Sequence, residues 1–245
     1  MPSPVQKLVL LPGMDGTGKL FTEFVKVFTA EFEITVASYP TDVCRPYSEL
    51  KESVRSLLPK SDSYALLAES FSTPLAIQCA AEKPGNLEAL ILCAGFSTSP
   101  LRGWSLPFIS RLAPIVLRFK LPAVAARSFL IGRNAPETLL NTVREVISSV
   151  RPAVLAARIQ AIFACDVRKE LAQIRVPTLY LRATEDKLVP AACMEEILRI
   201  KPDTTVIAVT GPHLLIQREP RKIAEAIAIF LRQLEATPIA PNSKD

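Results

Sequence analysis

The sequence predicts an α/β fold: a mostly parallel sheet with helices on both faces and a helical cap insertion. Three observations carry that prediction. Short apolar runs that read as buried strands alternate with longer stretches of three-to-four-residue apolar spacing. The alternation breaks once, from Phe96 to about Leu171, where helix-like spacing is punctuated by six prolines and no convincing strand pattern appears. The length, 245 residues, suits one large domain with an insertion better than two independent folds.

Taken in order, Lys7 to Leu11 (KLVLL) is a strand candidate closed by Pro12 and Gly13. Phe32 to Tyr39 contains a second, Ser63 to Ala68 a third, Leu87 to Cys93 a fourth, Thr178 to Ala183 a fifth and Thr204 to Val209 a sixth. Helical spacing occupies Tyr47 to Leu58, Thr73 to Glu82, Ala191 to Arg199 and Arg221 to Leu234, and Lys83-Pro84-Gly85 stops the second of these. The expected organisation is a sheet-and-helix core over 1–96 and 172–236, a helical cap over 97–171, and a loose polar tail over 237–245.

Composition narrows the class. Hydrophobic residues make up 49% and charged residues 22%, a globular balance that argues against wholesale disorder or a fibre. No apolar run approaches the ~18 residues that a membrane-spanning helix needs. Met1 to Lys7 lacks the apolar core of a secretory signal. Five scattered cysteines without a Cys-x-x-Cys spacing argue against a disulfide framework or a zinc site, so a reducing, cytoplasmic setting is expected, with no metal and no cofactor. The net charge of +5 is unevenly placed: Thr98 to Cys165 holds nine basic residues against two acidic ones. They are spaced through apolar sequence rather than clustered, so no nucleic-acid partner is expected and a solvated helical face is the simplest reading.

In an open parallel sheet, ligands bind outside the carboxyl ends of the strands. Four of those ends carry reactive residue types. After the first strand, Gly13 to Lys19 matches the G-x-x-x-x-G-K spacing of a phosphate-binding loop, but Leu20 follows where a hydroxyl should hold magnesium, and Asp15 sets a carboxylate where phosphates would sit. The alternative is a glycine-rich turn whose backbone N–H groups face a developing negative charge. After the third strand, Ala68-Glu69-Ser70-Phe71-Ser72 is a small-x-Ser-x-small variant of the G-x-S-x-G turn that lifts a nucleophile clear of a sheet. The plainer alternative is that Ser70 or Ser72 caps the following helix. His213, the sole histidine, follows the sixth strand. It is the one imidazole available to accept a serine proton. Asp186 follows the fifth strand, where a carboxylate would orient that imidazole, and Glu185 beside it is the other candidate.

The chain order Ser, Asp, His and the pieces LLPGMDGTG, LLAESFST, ATEDKLVP and GPHLLIQREP resemble the α/β-hydrolases of the serine esterase, lipase and thioesterase kind, over roughly Leu8 to Leu234. The resemblance implies Ser70 as nucleophile, His213 as general base and then acid, and Asp186 as the orienting carboxylate. It also implies an oxyanion hole from the backbone N–H groups of Met14 and Phe71. Ala68 and Ser72 stand where the family has two elbow glycines, and Pro12 where many members have histidine; neither change removes a reacting atom. The PGxDGTG phrase is also similar to members that move fatty acyl groups onto alcohols.

These roles imply cleavage of a small-molecule acyl ester through an acyl-enzyme. Water, an alcohol or a thiol would complete the reaction, so acyltransferase and thioesterase chemistry on the same triad stay open. A noncatalytic binding module on a degenerate scaffold is the alternative from another class. Apolar residues of the expected cap, among them Trp104, Phe108 and Leu112, are candidates to line an acyl pocket. Its arginines suit an anionic head group or peripheral contact with a lipid surface, and equally plain solvent exposure.

Overall fold

The computed structural model describes residues 7–28, 32–100 and 121–236. Its centre is a six-stranded, all-parallel sheet: β1 (Lys7–Leu11), β2 (Glu33–Val36), β3 (Tyr64–Glu69), β4 (Leu87–Cys93), β5 (Thr178–Ala183) and β6 (Thr205–Val209), in the order β2-β1-β3-β4-β5-β6. Helices α1 (Thr22–Phe28), α2 (Tyr47–Leu57) and α3 (Thr73–Ala81) precede β4. Between β4 and β5 come α4 (Ala123–Ala125), continuing as a π-helical turn over Ala126–Ile131, then α5 (Glu137–Ser148), α6 (Pro152–Phe163) and α7 (Arg168–Leu171). After β5 comes α8 (Ala191–Ile200), and after β6 come α9 (Leu215–Arg218) and α10 (Pro220–Ala236).

The period-2 alternation of a strand sends successive side chains to opposite faces, and both faces are covered. Leu8, Leu10, Ala65, Leu67, Ile91 and Leu181 pack with Phe24 and Phe28 of α1 and Ile223, Ile227 and Leu231 of α10. Val9, Leu11, Leu66, Ala68, Leu90 and Tyr180 pack on the other side with Leu50 and Val54 of α2, Leu75 and Cys79 of α3, and Ile197 of α8. Burial on both faces explains why the inner strands read as unbroken apolar runs.

The first strand, β1, lies inside the sheet. The chain adds β2 on one side of β1 and then returns to place β3 on the other, with Leu11 opposite Ala68. The strand order therefore reverses between β1 and β3, which opens a crevice at their carboxyl ends. The loop after β1 and the turn after β3 face each other there. The two ends of the segment between β4 and β5 are pinned to each other: Thr98 and Asp166 form an isolated bridge, and the N–H of Val167 donates to the carbonyl of Ser97 at 2.8 Å. No single described helix is long and apolar enough to cross a membrane.

The strands fall where the sequence pattern places them. Two described helices, α1 and the four-residue α9, are absent from that reading. Both are short, which leaves few positions for the 3.6-residue period to show.

Candidate active site

β3 runs directly into a 3₁₀ turn, Ser70–Ser72, and then α3. The reversal is tight enough that Ser70 takes φ 48°, a left-handed conformation that costs a residue with a Cβ about 1–2 kcal/mol. The turn is held from outside. Thr73 Oγ1 donates to the Ser70 carbonyl at 2.8 Å and accepts from the N–H of Phe96 at 3.1 Å. Gly95 is required beside it, since a Cβ there would lie 2.7 Å from Thr73 Cγ2. Neither Ser70 nor Ser72 caps α3 through its side chain.

Ser70 Oγ lies 2.9 Å from His213 Nε2, and His213 Nδ1 lies 2.7 Å from Asp186 Oδ2. Asp186 is fixed in turn, its Oδ1 accepting from the N–H groups of Leu188 and Val189 at 2.7 and 3.0 Å. A carboxylate only accepts, so Nδ1 carries the proton and Nε2 is free to receive one from Ser70. Burial of the imidazole pulls its pKa down, but the hydrogen bond and charge of Asp186, joined by the charge of Glu69, outweigh burial and raise it above the ordinary value of 6.5. The structure thus brings the three side chains together, and Glu185, the other carboxylate considered, is exposed to solvent.

The loop after β1 folds as a turn closed by the N–H of Gly16 on the carbonyl of Gly13 at 3.0 Å, with Met14 and Asp15 at its corner. Asp15 is buried and accepts from the N–H and Oγ1 of Thr17 at 2.8 and 2.6 Å. Desolvation raises its pKa; Thr17 and the nearby Arg158 oppose the rise. With that carboxylate inside the loop and Lys19 exposed, the phosphate-loop spacing is a coincidence of glycines. Met14 sits at the turn corner and Phe71 in the first turn of the 3₁₀ helix, where N–H groups have no helical partner. Among the described residues neither N–H donates a hydrogen bond. Trp104, Phe108 and Leu112, the expected pocket residues, lie outside the described residues.

Several site residues were invisible to sequence reasoning. The hydroxyl of Ser72 donates to the Pro12 carbonyl and lies 2.7 Å from Tyr39 Oη, which joins the elbow to the loop after β1. Glu69, 1% exposed, has Oε2 accepting from Gln217 Nε2 at 3.2 Å and Oε1 without a partner. Burial first, then the charge of Asp15, pushes Glu69 up to about 7, opposed by His213 and Gln217. The reading of the insertion's arginines as a solvated face fails at Arg158. That side chain is 3% exposed, with Nη1 donating to the carbonyls of Met14 and Asp15 at 2.8 and 2.7 Å and Nη2 to that of Pro40 at 2.8 Å. Its signal was its isolation, because it is the one charged residue in α6.

The parallel sheet, its strand order and the serine elbow define the α/β-hydrolase fold. The chain superposes on a thermophilic esterase from Thermogutta terrifontis with a TM-score of 0.79 and 20% identity, covering 95% of this chain and 91% of that one. On the enol-lactonase from Burkholderia xenovorans LB400 the TM-score is 0.78 at 17% identity, over 94% and 92% of the two chains. At these identities the likeness establishes the fold. Among curated proteins, the chain is 33% identical over 81 residues to RutD of Caulobacter sp. (strain K31), which is 33% of this chain and 30% of that protein. The matched stretch spans about a third of the length of the curated relatives. No family model matches the chain.

Proposed function

We propose that the protein is a serine hydrolase that cleaves carboxylic esters of small molecules through an acyl-enzyme, with Ser70 as nucleophile, His213 as general base and Asp186 as the orienting carboxylate. The observation that carries the reading is the pair of short contacts on one imidazole, 2.9 Å to Ser70 Oγ and 2.7 Å to Asp186 Oδ2. A serine held at positive φ at the end of a buried strand adds support, because such strain persists only where surrounding structure enforces it. The esterase and enol-lactonase among the fold's neighbours act on bonds of this chemical kind by their names.

His213 Nε2 takes the hydroxyl proton as Ser70 Oγ attacks the acyl carbon, and Asp186 stabilises the imidazolium that results. The N–H groups of Met14 and Phe71 receive the oxyanion, each contributing about 3–4 kcal/mol to the transition state in comparable sites. His213 then returns the proton to the leaving alkoxide, giving the alcohol and an acyl ester on Ser70. Water attacks that ester with His213 again as base, releasing the acid and the free serine. An alcohol or thiol in place of water would give transfer instead.

A panel of 4-nitrophenyl esters of increasing acyl length, each with graded ethanol, tests the reading. Release of nitrophenol that Ser70→Ala abolishes is the expected result, and the ethyl-ester share of product measures how the acyl group partitions. Folded protein that turns over none of the esters would point to the binding-module alternative.

A further inference from the structure

We infer that Arg158 is a positioning residue for the oxyanion site, so that the segment inserted between β4 and β5 controls the rate of the chemical step as well as any pocket it forms. The inference rests on the functional reading above. It concerns a group that touches neither Ser70 nor His213.

A guanidinium is rarely taken out of water unless its donors are satisfied, because the desolvation cost is several kcal/mol. Arg158 meets that condition with backbone: its three bonds go to the carbonyls of Met14, Asp15 and Pro40. Burial lowers its pKa, and the charge of Asp15 opposes that fall. Its Cζ also lies 5.8 Å from the ring centroid of Tyr39 and 5.9 Å from that of Phe71, within cation–π range. One side chain therefore holds both proposed oxyanion donors, Met14 through its carbonyl and Phe71 through its ring.

The fit leaves no slack. Gly16 has φ +69°, and a Cβ there would lie 2.5 Å from Arg158 Nη1, so glycine is required both for the turn and for the approach of the guanidinium. The Met14 N–H belongs to the Gly13–Met14 peptide, whose carbonyl accepts from the Gly16 N–H at 3.0 Å. By fixing the next two peptides through the Met14 and Asp15 carbonyls, Arg158 holds the turn that this bond closes, and with it the direction of the Met14 N–H. Without the guanidinium, the carbonyls of Met14, Asp15 and Pro40 lose this donor and the corner is free to turn toward other partners. Misplacing a catalytic group by about 1 Å can cost about 100-fold in rate. Such a loss belongs in kcat, because a hydrogen bond to the oxyanion strengthens only as charge develops.

The test compares the natural protein with Arg158→Met and Arg158→Lys in 4-nitrophenyl butyrate turnover and in the rate of fluorophosphonate labelling at Ser70, with folding followed by near-UV circular dichroism. The expected result is a fall of about 100-fold in kcat and a parallel slowing of labelling in Arg158→Met. KM should stay within about threefold, and added guanidinium at non-denaturing millimolar concentration should restore part of the rate. Arg158→Lys, which keeps the charge with fewer bonds, should fall between the two. A merely structural arginine would leave kcat per folded molecule unchanged, and that result overturns the inference alone. If Arg158→Met does not fold, natural kcat in Arg158→Lys overturns it in the same way. Absence of a Ser70 adduct in the natural protein removes the functional reading and this inference with it.

Discussion

The hydroxyl of Ser72 donates to the carbonyl of Pro12, joining the second residue after Ser70 to the first residue after β1. Glycine in that elbow position could not make the bond. Tyr39 completes it, its hydroxyl 2.7 Å from Ser72 Oγ; since the single Ser72 proton is used on Pro12, Tyr39 is the donor of that second bond. The departure of this sequence from the glycine-flanked elbow therefore adds a tie between the two loops proposed to form the oxyanion site. Replacing Ser72 by alanine leaves the buried Tyr39 hydroxyl and Pro12 carbonyl without partners, at a cost of about 1–3 kcal/mol. Urea denaturation should show that loss, accompanied by slower labelling of Ser70. A midpoint equal to that of the natural protein would mean the tie is not structural.

Strain at Ser70 predicts different stabilities for two substitutions there. Ser70→Ala keeps the Cβ and the cost of φ 48°, whereas Ser70→Gly releases it. Glycine's greater unfolded-state freedom offsets part of the gain. The glycine variant should still be more stable than the alanine variant, by about 1 kcal/mol. Equal unfolding free energies would show that the turn is unstrained.

His213 must be neutral to accept a proton, so hydrolysis should rise with pH through the imidazole's pKa. Asp186 raises that pKa above 6.5 against the pull of burial, which places the acidic limb of kcat/KM above pH 6.5. Asp186→Asn removes the two larger raising interactions and leaves burial opposed by Glu69 alone, so the limb should move to lower pH while the rate falls about 10³- to 10⁴-fold. A limb that stays in place would assign the titration to another group.

Glu69 predicts a pH dependence of stability. Its pKa rises from 4.5 to about 7 on folding, chiefly through burial, so the folded state retains a proton that the unfolded chain releases. The folded state binding more protons means stability falls as pH rises from about 4.5 to about 7, by roughly 3 kcal/mol once the group is ionised. Glu69→Gln removes the titrating carboxyl. The stability difference between natural protein and variant should therefore grow with pH across that window and level off above it; a difference independent of pH would contradict the assignment.

Ser70, Asp186 and His213 were legible because each sits at the carboxyl end of a strand whose apolar run marks it, and because chain order restricts which residue can do what. The fold was legible for the same reason: buried parallel strands such as Leu87–Cys93 carry their signal within a few consecutive residues. Arg158 was not, because its partners are the carbonyls of Met14 and Asp15, more than 140 positions away, and a carbonyl has no residue signature. Glu69 and Tyr39 were hidden similarly. Their roles depend on burial and on contacts with Gln217 and Ser72 that only the folded chain assembles.

The central claim is an activated serine at position 70. Intact-mass measurement after incubation with a fluorophosphonate probe tests it most directly, with no assumption about substrate. A single adduct on Ser70 is expected, absent in Ser70→Ala and lost or greatly slowed in His213→Ala. A folded protein that gains no mass, or one labelled equally in all three forms, would contradict the claim.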